Sequence, residues 1–157
     1  MFQLPGVLSH ASGDQLAHQR ERISHRDNRP SAVVVVDDEP DVLAILHRLM
    51  RDLAFPYDIV AAASGQTALD QIELYAVPLL ITDFWMPKMN GVELIEAVRQ
   101  LSPNTRVALI SAYPTAELER QARGAQVDYY LPKPFHFSQI QQMVQECLNV
   151  SPPKRFG

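Results

Sequence analysis

The chain is poor in cysteine, in positive charge and in long apolar stretches, and each shortage excludes a class of protein. Cys147 is the only cysteine, so an internal disulfide framework is impossible and a reducing compartment is favoured. The formal net charge is −4, so the chain lacks the excess of basic residues that would indicate direct binding of nucleic acid. No apolar run approaches the roughly 20 residues that span a bilayer, so we expect no membrane insertion. The first ten residues, MFQLPGVLSH, lack the features of a signal peptide, and we therefore expect a cytoplasmic protein.

The length of 157 residues suits one domain with a proper core, preceded by an unusual segment. Residues 1–30 contain three of the five histidines and little apolar periodicity. Their four arginines and three acidic residues give +1, which leaves −5 for the remainder of the chain. We expect a flexible or partly helical extension, with a short helix near residues 14–24. A partner-binding or dimerising arm is the alternative. Residues 31–150 would form the domain, and residues 151–157 a tail too short for an output domain.

Short apolar segments alternate with amphipathic segments through the domain. The run Ala32–Val36 is continuous, apolar and β-branched, which is typical of a strand buried on both faces. The other predicted strands are Tyr57–Ala62, Leu79–Thr82, Arg106–Ile110 and Val127–Leu131. Such an alternation predicts a parallel sheet covered by helices on both faces and joined by right-handed crossovers.

The predicted helices carry start and stop signals. Pro40 suits a first helical turn, Ser64 can cap the second helix, and Asn90 begins the third. The first helix has apolar residues at helical spacing: Val42, Ile45, Leu46, Leu49 and Leu53. The fourth is polar, runs from about Thr115 to Arg123 and is expected to end at Gly124 as a C-terminal glycine. The last contains Phe137, Ile140, Val144 and Leu148.

Polar residues stand where four of the predicted strands end. They are Asp37 and Asp38, Asp83, Ser111 and Lys133. Ligands of open α/β sheets bind outside the carboxyl ends of the strands, where these residues would meet. Each has a plain explanation alone: Asp38 as a helix cap, Ser111 as a turn residue, Lys133 as a solvated charge. Together they indicate a site.

Electrostatics indicates what this site lacks. Two carboxylates ~5 Å apart repel by roughly 3 kcal/mol at an effective dielectric near 20. Three carboxylates in one pocket either raise the pKa of one of them or recruit a cation. Lys133 supplies a single positive charge, which leaves part of their negative charge uncompensated. Mg²⁺ (or Mn²⁺) suits a site with few carboxylates and a phosphate. One carboxylate could then attack a phosphoryl group whose oxygens are neutralised by the ion, Lys133 and Ser111.

These residues resemble the signatures of a known family. Asp37-Asp38, the stretch TDFWMPKMNG, Ser111-Ala112 and the stretch YYLPKPF are similar to the receiver domain of response regulators in two-component signalling, here of single-domain type. The resemblance covers about residues 32–149 with every signature in order. It implies a flavodoxin-like (βα)5 three-layer sandwich with a parallel five-stranded sheet in the order 2-1-3-4-5.

The resemblance also implies a role for each site residue. Asp83 would accept the phosphoryl group, with Ser111 and Lys133 contacting it. Asp38 would bind Mg²⁺ directly, Asp37 mainly through water, and Asp83 and the backbone carbonyl of Trp85 would complete the protein ligands.

Further residues near the site have implied roles. Tyr130 matches the aromatic that switches together with Ser111. Trp85 and Tyr113 would flank the phosphate and are bulkier than most family members at these positions. The Lys133–Pro134 bond matches a cis peptide of the family.

The resemblance implies a signalling protein that catalyses only its own aspartyl phosphorylation and dephosphorylation. The phosphoryl donor would be a sensor histidine kinase or a histidine phosphotransfer protein, and the downstream effector protein is unknown. A pseudo-receiver acting without phosphate is the main alternative. A hydrolase of the haloacid dehalogenase type needs D-x-D, whereas this chain has Asp37-Asp38-Glu39. An FMN-binding flavodoxin shares the fold, but the acidic pocket would repel the cofactor phosphate.

Overall fold

A computed structural model describes residues 28–149. The helix predicted near residues 14–24 and the tail at 151–157 lie outside the described residues. No helix between residues 28 and 149 has the length and apolarity needed to cross a membrane.

Five parallel strands form one sheet. They are β1 (Ala32–Val36), β2 (Asp58–Ala62), β3 (Leu79–Asp83), β4 (Arg106–Ser111) and β5 (Tyr129–Pro132). Their spatial order is β2-β1-β3-β4-β5, and every neighbouring pair is parallel. The predicted flavodoxin-like order is therefore confirmed. Strands β1 and β3 are buried along their whole length, as their continuous apolar runs predict.

Five helices cover the two faces of the sheet. They are α1 (Pro40–Asp52), α2 (Gly65–Leu74), α3 (Gly91–Leu101), α4 (Ala116–Gly124) and α5 (Phe137–Leu148). One apolar cluster lies between the sheet and helices α2, α3 and α4, and a second lies between the sheet and helices α1 and α5. These two cores make the three-layer sandwich.

Side-chain caps fix where several helices begin. The Ser64 hydroxyl accepts a hydrogen bond from the Thr67 amide (3.1 Å) at the start of α2. Asn90 and Glu93 form a reciprocal capping box at the start of α3, with both bonds 2.9 Å long. Pro40 occupies the first turn of α1, as predicted. The side-chain caps at Ser64 and Asn90 each stabilise their helix by about 1 kcal/mol.

Two local expectations are wrong, and the end of one helix differs in detail. Ile45 is 56% exposed, because the face that α1 turns to the sheet is centred on Leu46 and Met50. Helix α4 ends at Gly124, as expected, although the residue with a left-handed conformation after this helix is Gln126 at φ 55°. Strand β5 begins at Tyr129 rather than Val127, because this left-handed turn comes between the helix and the strand.

Gly91 marks a close approach of backbone segments beside the carboxyl end of β3. A Cβ atom at this position would lie 2.4 Å from the Asp83 carbonyl oxygen and 3.0 Å from the Phe84 Cα. The Gly91 amide also donates a hydrogen bond to the Phe84 carbonyl (2.9 Å). Only glycine therefore lets α3 begin this close to the end of β3.

We expect Gly91→Ala to lower the free energy of unfolding by about 2 kcal/mol, because the methyl group displaces rigid backbone. Urea denaturation measures the change. Gly124→Ala is the matched control, since no atom lies within 4 Å of its Cβ position, and it is expected to be neutral or stabilising. Equal destabilisation by both substitutions would contradict the proposed close-packing requirement.

Candidate functional site

The parallel sheet brings the predicted polar residues to one edge. Asp37 directly follows β1, Asp83 ends β3, Ser111 ends β4 and Lys133 directly follows β5. Because all these strands run the same way, their carboxyl ends meet, as expected for a ligand site in an open α/β sheet.

Three carboxylates form a compact cluster at this edge. Oxygen atoms of Asp37, Asp38 and Asp83 all lie within 4.8 Å of one another. Asp37 is fully buried, Asp83 is buried and Asp38 is half-buried. Asp37 is held by the Glu39 amide, which donates to its Oδ1 atom at 2.9 Å. Asp38 is not the N-cap of α1, since Glu39 occupies that position without a side-chain cap.

Lys133 bridges two of these carboxylates. Its Nζ atom lies 3.1 Å from Asp37 Oδ2 and 2.9 Å from Asp83 Oδ1. The Lys133–Pro134 peptide is cis, as the resemblance implied, and the Lys133 amide donates to the Ser111 carbonyl at 2.8 Å. Burial alone would lower the pKa of Lys133, but its hydrogen bonds and charge interactions with Asp83 and Asp37 raise it overall. Lys133 therefore remains an ammonium ion at neutral pH.

The pKa of Asp83 is raised above its ordinary value. Burial is the largest cause, and the charges of Asp37 and Asp38 add to it, while Lys133 acts in the opposite direction. The folded state thus binds a proton at Asp83 more tightly than the unfolded state does. The contribution of Asp83 to the free energy of unfolding therefore falls as the pH rises from the ordinary pKa of aspartate through the raised pKa of Asp83. One lysine does not offset the negative charge of the pocket.

The donor set of this cluster fits a hard divalent cation. All three side chains offer carboxylate oxygens, which Mg²⁺ and Mn²⁺ prefer over sulfur or nitrogen ligands. A cation there would lower the electrostatic penalty that raises the pKa of Asp83. The carboxylates of Asp37, Asp38 and Asp83 are the residues that could hold it.

Ser111 and Tyr130 lie together beside the cluster. Ser111 is fully buried, and its Oγ atom accepts a hydrogen bond from the Tyr113 amide at 3.3 Å. The Tyr130 hydroxyl is buried and has no hydrogen-bond partner among residues 28–149. Burial raises the pKa of Tyr130, and the Ser111 hydroxyl partly offsets this rise. The two hydroxyl groups are therefore near each other without the geometry of a hydrogen bond.

Two aromatic side chains project from loops beside the carboxylates. Trp85, two residues after Asp83, is 52% exposed and packs edge-on against Phe84 with ring centroids 4.6 Å apart. Tyr113, two residues after Ser111, is 71% exposed. Both rings are accessible to solvent or to a partner. The metal-binding role of the Trp85 carbonyl stays a prediction.

Two contacts that position Asp83 were missed by the sequence reasoning. The Thr82 hydroxyl donates to the Asp83 carbonyl at 2.9 Å, and the Phe84 amide donates to the Ile110 carbonyl at 3.0 Å. A buried threonine inside an otherwise apolar strand was an available signal for the first contact. The second depends on strand pairing and had no sequence signal.

The fold and the site together define a class of protein, namely a flavodoxin-like α/β domain with an acidic pocket and a lysine at the carboxyl ends of its strands. The family model of the response regulator receiver domain matches residues 33–145. This match covers well over half of the chain, and the protein therefore belongs to the response regulator receiver domain family. Receiver domains are signalling modules of two-component systems rather than enzymes in the ordinary sense.

Curated relatives are longer than this chain. The transcriptional regulatory protein ZraR of Escherichia coli (strain K12) is 29% identical over 116 residues, which is 74% of this chain and 26% of ZraR. The transcriptional regulatory protein CpxR of the same strain is 31% identical over 121 residues, which is 76% of this chain and 50% of CpxR. The chain thus matches only one part of each regulator.

Solved structures confirm the fold. The signal receiver domain of an HD domain-containing protein from Pseudomonas fluorescens Pf-5 superposes with a TM-score of 0.71 at 25% identity, covering 78% of this chain and 96% of that domain. The chemotaxis protein CheY4 of Vibrio cholerae superposes with a TM-score of 0.69 at 24% identity, covering 76% and 99%.

Proposed function

We propose that this receiver domain accepts a phosphoryl group on Asp83 in a Mg²⁺-dependent reaction and signals through a change of conformation. The observation that best supports the proposal is the position of Lys133, 2.9 Å from Asp83 and 3.1 Å from Asp37, inside a cluster of three carboxylates. A cation held by these carboxylates would, together with the Lys133 ammonium group, supply the positive charge that transfer of a phosphoryl group to Asp83 requires.

The proposed donor is a phosphohistidine of a sensor histidine kinase or of a histidine phosphotransfer protein. An Asp83 carboxylate oxygen attacks the phosphorus atom, a P–O bond forms and the P–N bond breaks. The histidine nitrogen leaves with the electron pair of that bond. A bound Mg²⁺ ion would supply positive charge for the phosphoryl oxygens.

Three residues assist this transfer. Lys133 exchanges its contact with the Asp83 carboxylate for one with a phosphoryl oxygen, so its charge stays close to the developing negative charge. The Ser111 hydroxyl donates a hydrogen bond to another phosphoryl oxygen. Asp37 keeps Lys133 oriented through the 3.1 Å contact.

The conformational signal is proposed to pass through Ser111 and Tyr130 to helix α4. Movement of Ser111 toward the phosphoryl group changes the surroundings of the Tyr130 hydroxyl, which is already buried beside it. Helix α4 buries only Leu118 and Ala122, so few packed contacts resist its displacement. The face formed by α4, β5 and α5 is our candidate surface for the unknown effector protein.

Beryllofluoride, a phosphoryl analogue, tests this function directly. With Mg²⁺ present, amide hydrogen exchange is expected to change across residues 111–131 and at the acidic cluster. The Lys133→Ala variant should show a much smaller response. No change in the wild type with saturating Mg²⁺ and beryllofluoride would instead favour a phosphorylation-independent interaction module.

Trp85 and Tyr113 are proposed to prolong the phosphorylated state. Hydrolysis needs a water in line with the P–O bond, and the loops bearing these exposed rings border that approach in this fold. We expect Trp85→Asn and Tyr113→Glu each to speed loss of phosphate about tenfold, which corresponds to ~1.4 kcal/mol of barrier, and the double variant to be faster still. Release of inorganic phosphate from the purified phosphoprotein gives the rates.

Leu101→Asn provides the control, since Leu101 is 40% exposed and lies at the opposite end of the sheet. Its dephosphorylation rate should match the wild type. Unchanged rates in both aromatic variants, together with slower transfer from a kinase, would assign these rings to partner contact instead.

A further inference from the structure

A groove opens at the amino-terminal edge of the sheet, at the opposite end of the strands from the acidic cluster. Its volume is about 470 Å³, and its lining includes Arg29, Tyr57, Val77, Pro103 and Asn104. This volume is within the range of small binding pockets and accommodates a few side chains. None of the proposed phosphoryl-transfer residues contributes to its lining.

The wall of this groove is held in place by hydrogen bonds. The Thr105 hydroxyl donates to the Val77 carbonyl at 2.7 Å, which ties the loop after α3 to the loop after α2. The Arg99 guanidinium donates to the Thr105 carbonyl at 3.2 Å. The groove is therefore preformed, which lowers the entropic cost of filling it.

Arg29 connects the groove to the preceding part of the chain. Its Nη1 atom donates to the Ile72 and Glu73 carbonyls at 2.9 and 2.8 Å, which fixes the side chain at the end of α2. Its Nε atom is buried and has no acceptor among residues 28–149. A buried N–H group without a partner is uncommon and favours a ligand that brings an acceptor.

Exposed leucines lie next to residues of the groove. Leu74 is 61% exposed at the end of α2, and Leu101 is 40% exposed at the end of α3. Both helices lead directly into the loops that line the groove. Two of the five exposed large apolar side chains in the described part of the chain are thus at this edge.

We propose that this groove binds residues 14–24 of the same chain. Leu16 and Ile23 are seven residues apart, so they share one face of the helix predicted there. Gln19, three residues after Leu16 and four before Ile23, lies on the same face and brings an amide oxygen that can accept a hydrogen bond from the Arg29 Nε atom. The occupant is tethered, since only four residues separate Ser24 from Arg29 on the groove wall, and such a short tether gives an effective concentration in the millimolar range. This docking is independent of the phosphoryl-transfer chemistry.

A paramagnetic label on the full chain tests the docking. The label is attached to Ser12→Cys, and Cys147 stays unlabelled because burial raises its pKa to about 11. We expect loss of the amide signals of Val77, Ser102, Asn104 and Thr105, with the signals of Asp83 and Ser111 retained. Uniform loss over both edges, or no loss at the groove, would overturn the proposal.

Matched double variants identify the docking face. Leu16→Ser with Ile23→Ser should restore the groove signals, whereas His18→Ser with His25→Ser, on the opposite face of the predicted helix, should not. Equal behaviour of the two variants would overturn the assigned face. Mixing spin-labelled chains with isotope-labelled chains that carry no spin label should leave the groove signals intact. Their loss there would show that a second copy is the occupant and would overturn the intramolecular assignment.

Discussion

Replacement of Asp83 by asparagine is expected to abolish phosphorylation. With acetyl phosphate and Mg²⁺, the wild-type chain should gain one phosphate, and Asp83→Asn should gain none. Asparagine keeps the size of the side chain but lacks the carboxylate that attacks phosphorus, so the loss reflects chemistry rather than packing. Intact-mass spectrometry counts the phosphates. The wild-type adduct should be an acyl phosphate that hydroxylamine removes.

Asp52→Asn is the matched control for this experiment. Asp52 is exposed at the end of α1 and lies outside the carboxylate cluster, so its replacement should leave the phosphate gain unchanged. A full gain of phosphate in Asp83→Asn would place the acceptor elsewhere and refute the assignment. Thermal unfolding of both variants confirms that each is folded under the assay conditions.

The alternation of strands and helices, and the covering of both faces of the sheet, followed from the sequence because several independent signals agreed. The apolar run at β1, the caps at Ser64 and Asn90 and the helical spacing in α3 all favour the same alternation. In natural sequences the local preferences for helix, strand and turn generally agree with the overall fold. The spatial order 2-1-3-4-5 came from the family resemblance, since alternation alone permits other orders.

The composition of the acidic cluster could be predicted, but its internal geometry could not. Strand ends in a parallel sheet meet at one edge, which places Asp37, Asp83 and Lys133 together. Lys133 bridges two carboxylates through a particular side-chain rotamer. It lies 96 positions from Asp37 along the chain, so no local sequence pattern indicates their contact. The close approach of Gly91 to the Asp83 carbonyl is likewise a product of tertiary packing.

The dependence on tertiary packing also explains why some local features differ from the sequence predictions. Ile45 and Leu46 both fit an apolar helical stripe, and only the position of α1 on the sheet decides that Leu46 is the buried one. At the end of α4, a glycine marks a plausible stop, yet the left-handed residue is Gln126, two positions later. Glycine permits a left-handed conformation without requiring it.

Replacement of Asp38 by alanine is expected to abolish the binding of Mg²⁺ and Mn²⁺, while Asp83→Asn should weaken it. Asp38 is the most exposed of the three clustered carboxylates, and neither of its oxygen atoms is engaged by Lys133, which contacts Asp37 and Asp83 instead. It is therefore the carboxylate that can turn toward a cation without losing an ion pair. Calorimetry measures the affinity, and the fluorescence of Trp85, the only tryptophan, provides a second readout beside the site.

Asp41→Ala is the control for the metal experiment, because Asp41 is an exposed carboxylate in the first turn of α1, three residues from Asp38, and is not part of the cluster. Loss of long-range negative charge alone would weaken binding in both variants to a similar, small extent, and that extent would shrink as salt is added. Direct coordination predicts loss in Asp38→Ala alone and at every ionic strength. Wild-type affinity in Asp38→Ala would remove Asp38 from the site, and the cation would then have to be held by Asp37 and Asp83, in competition with Lys133.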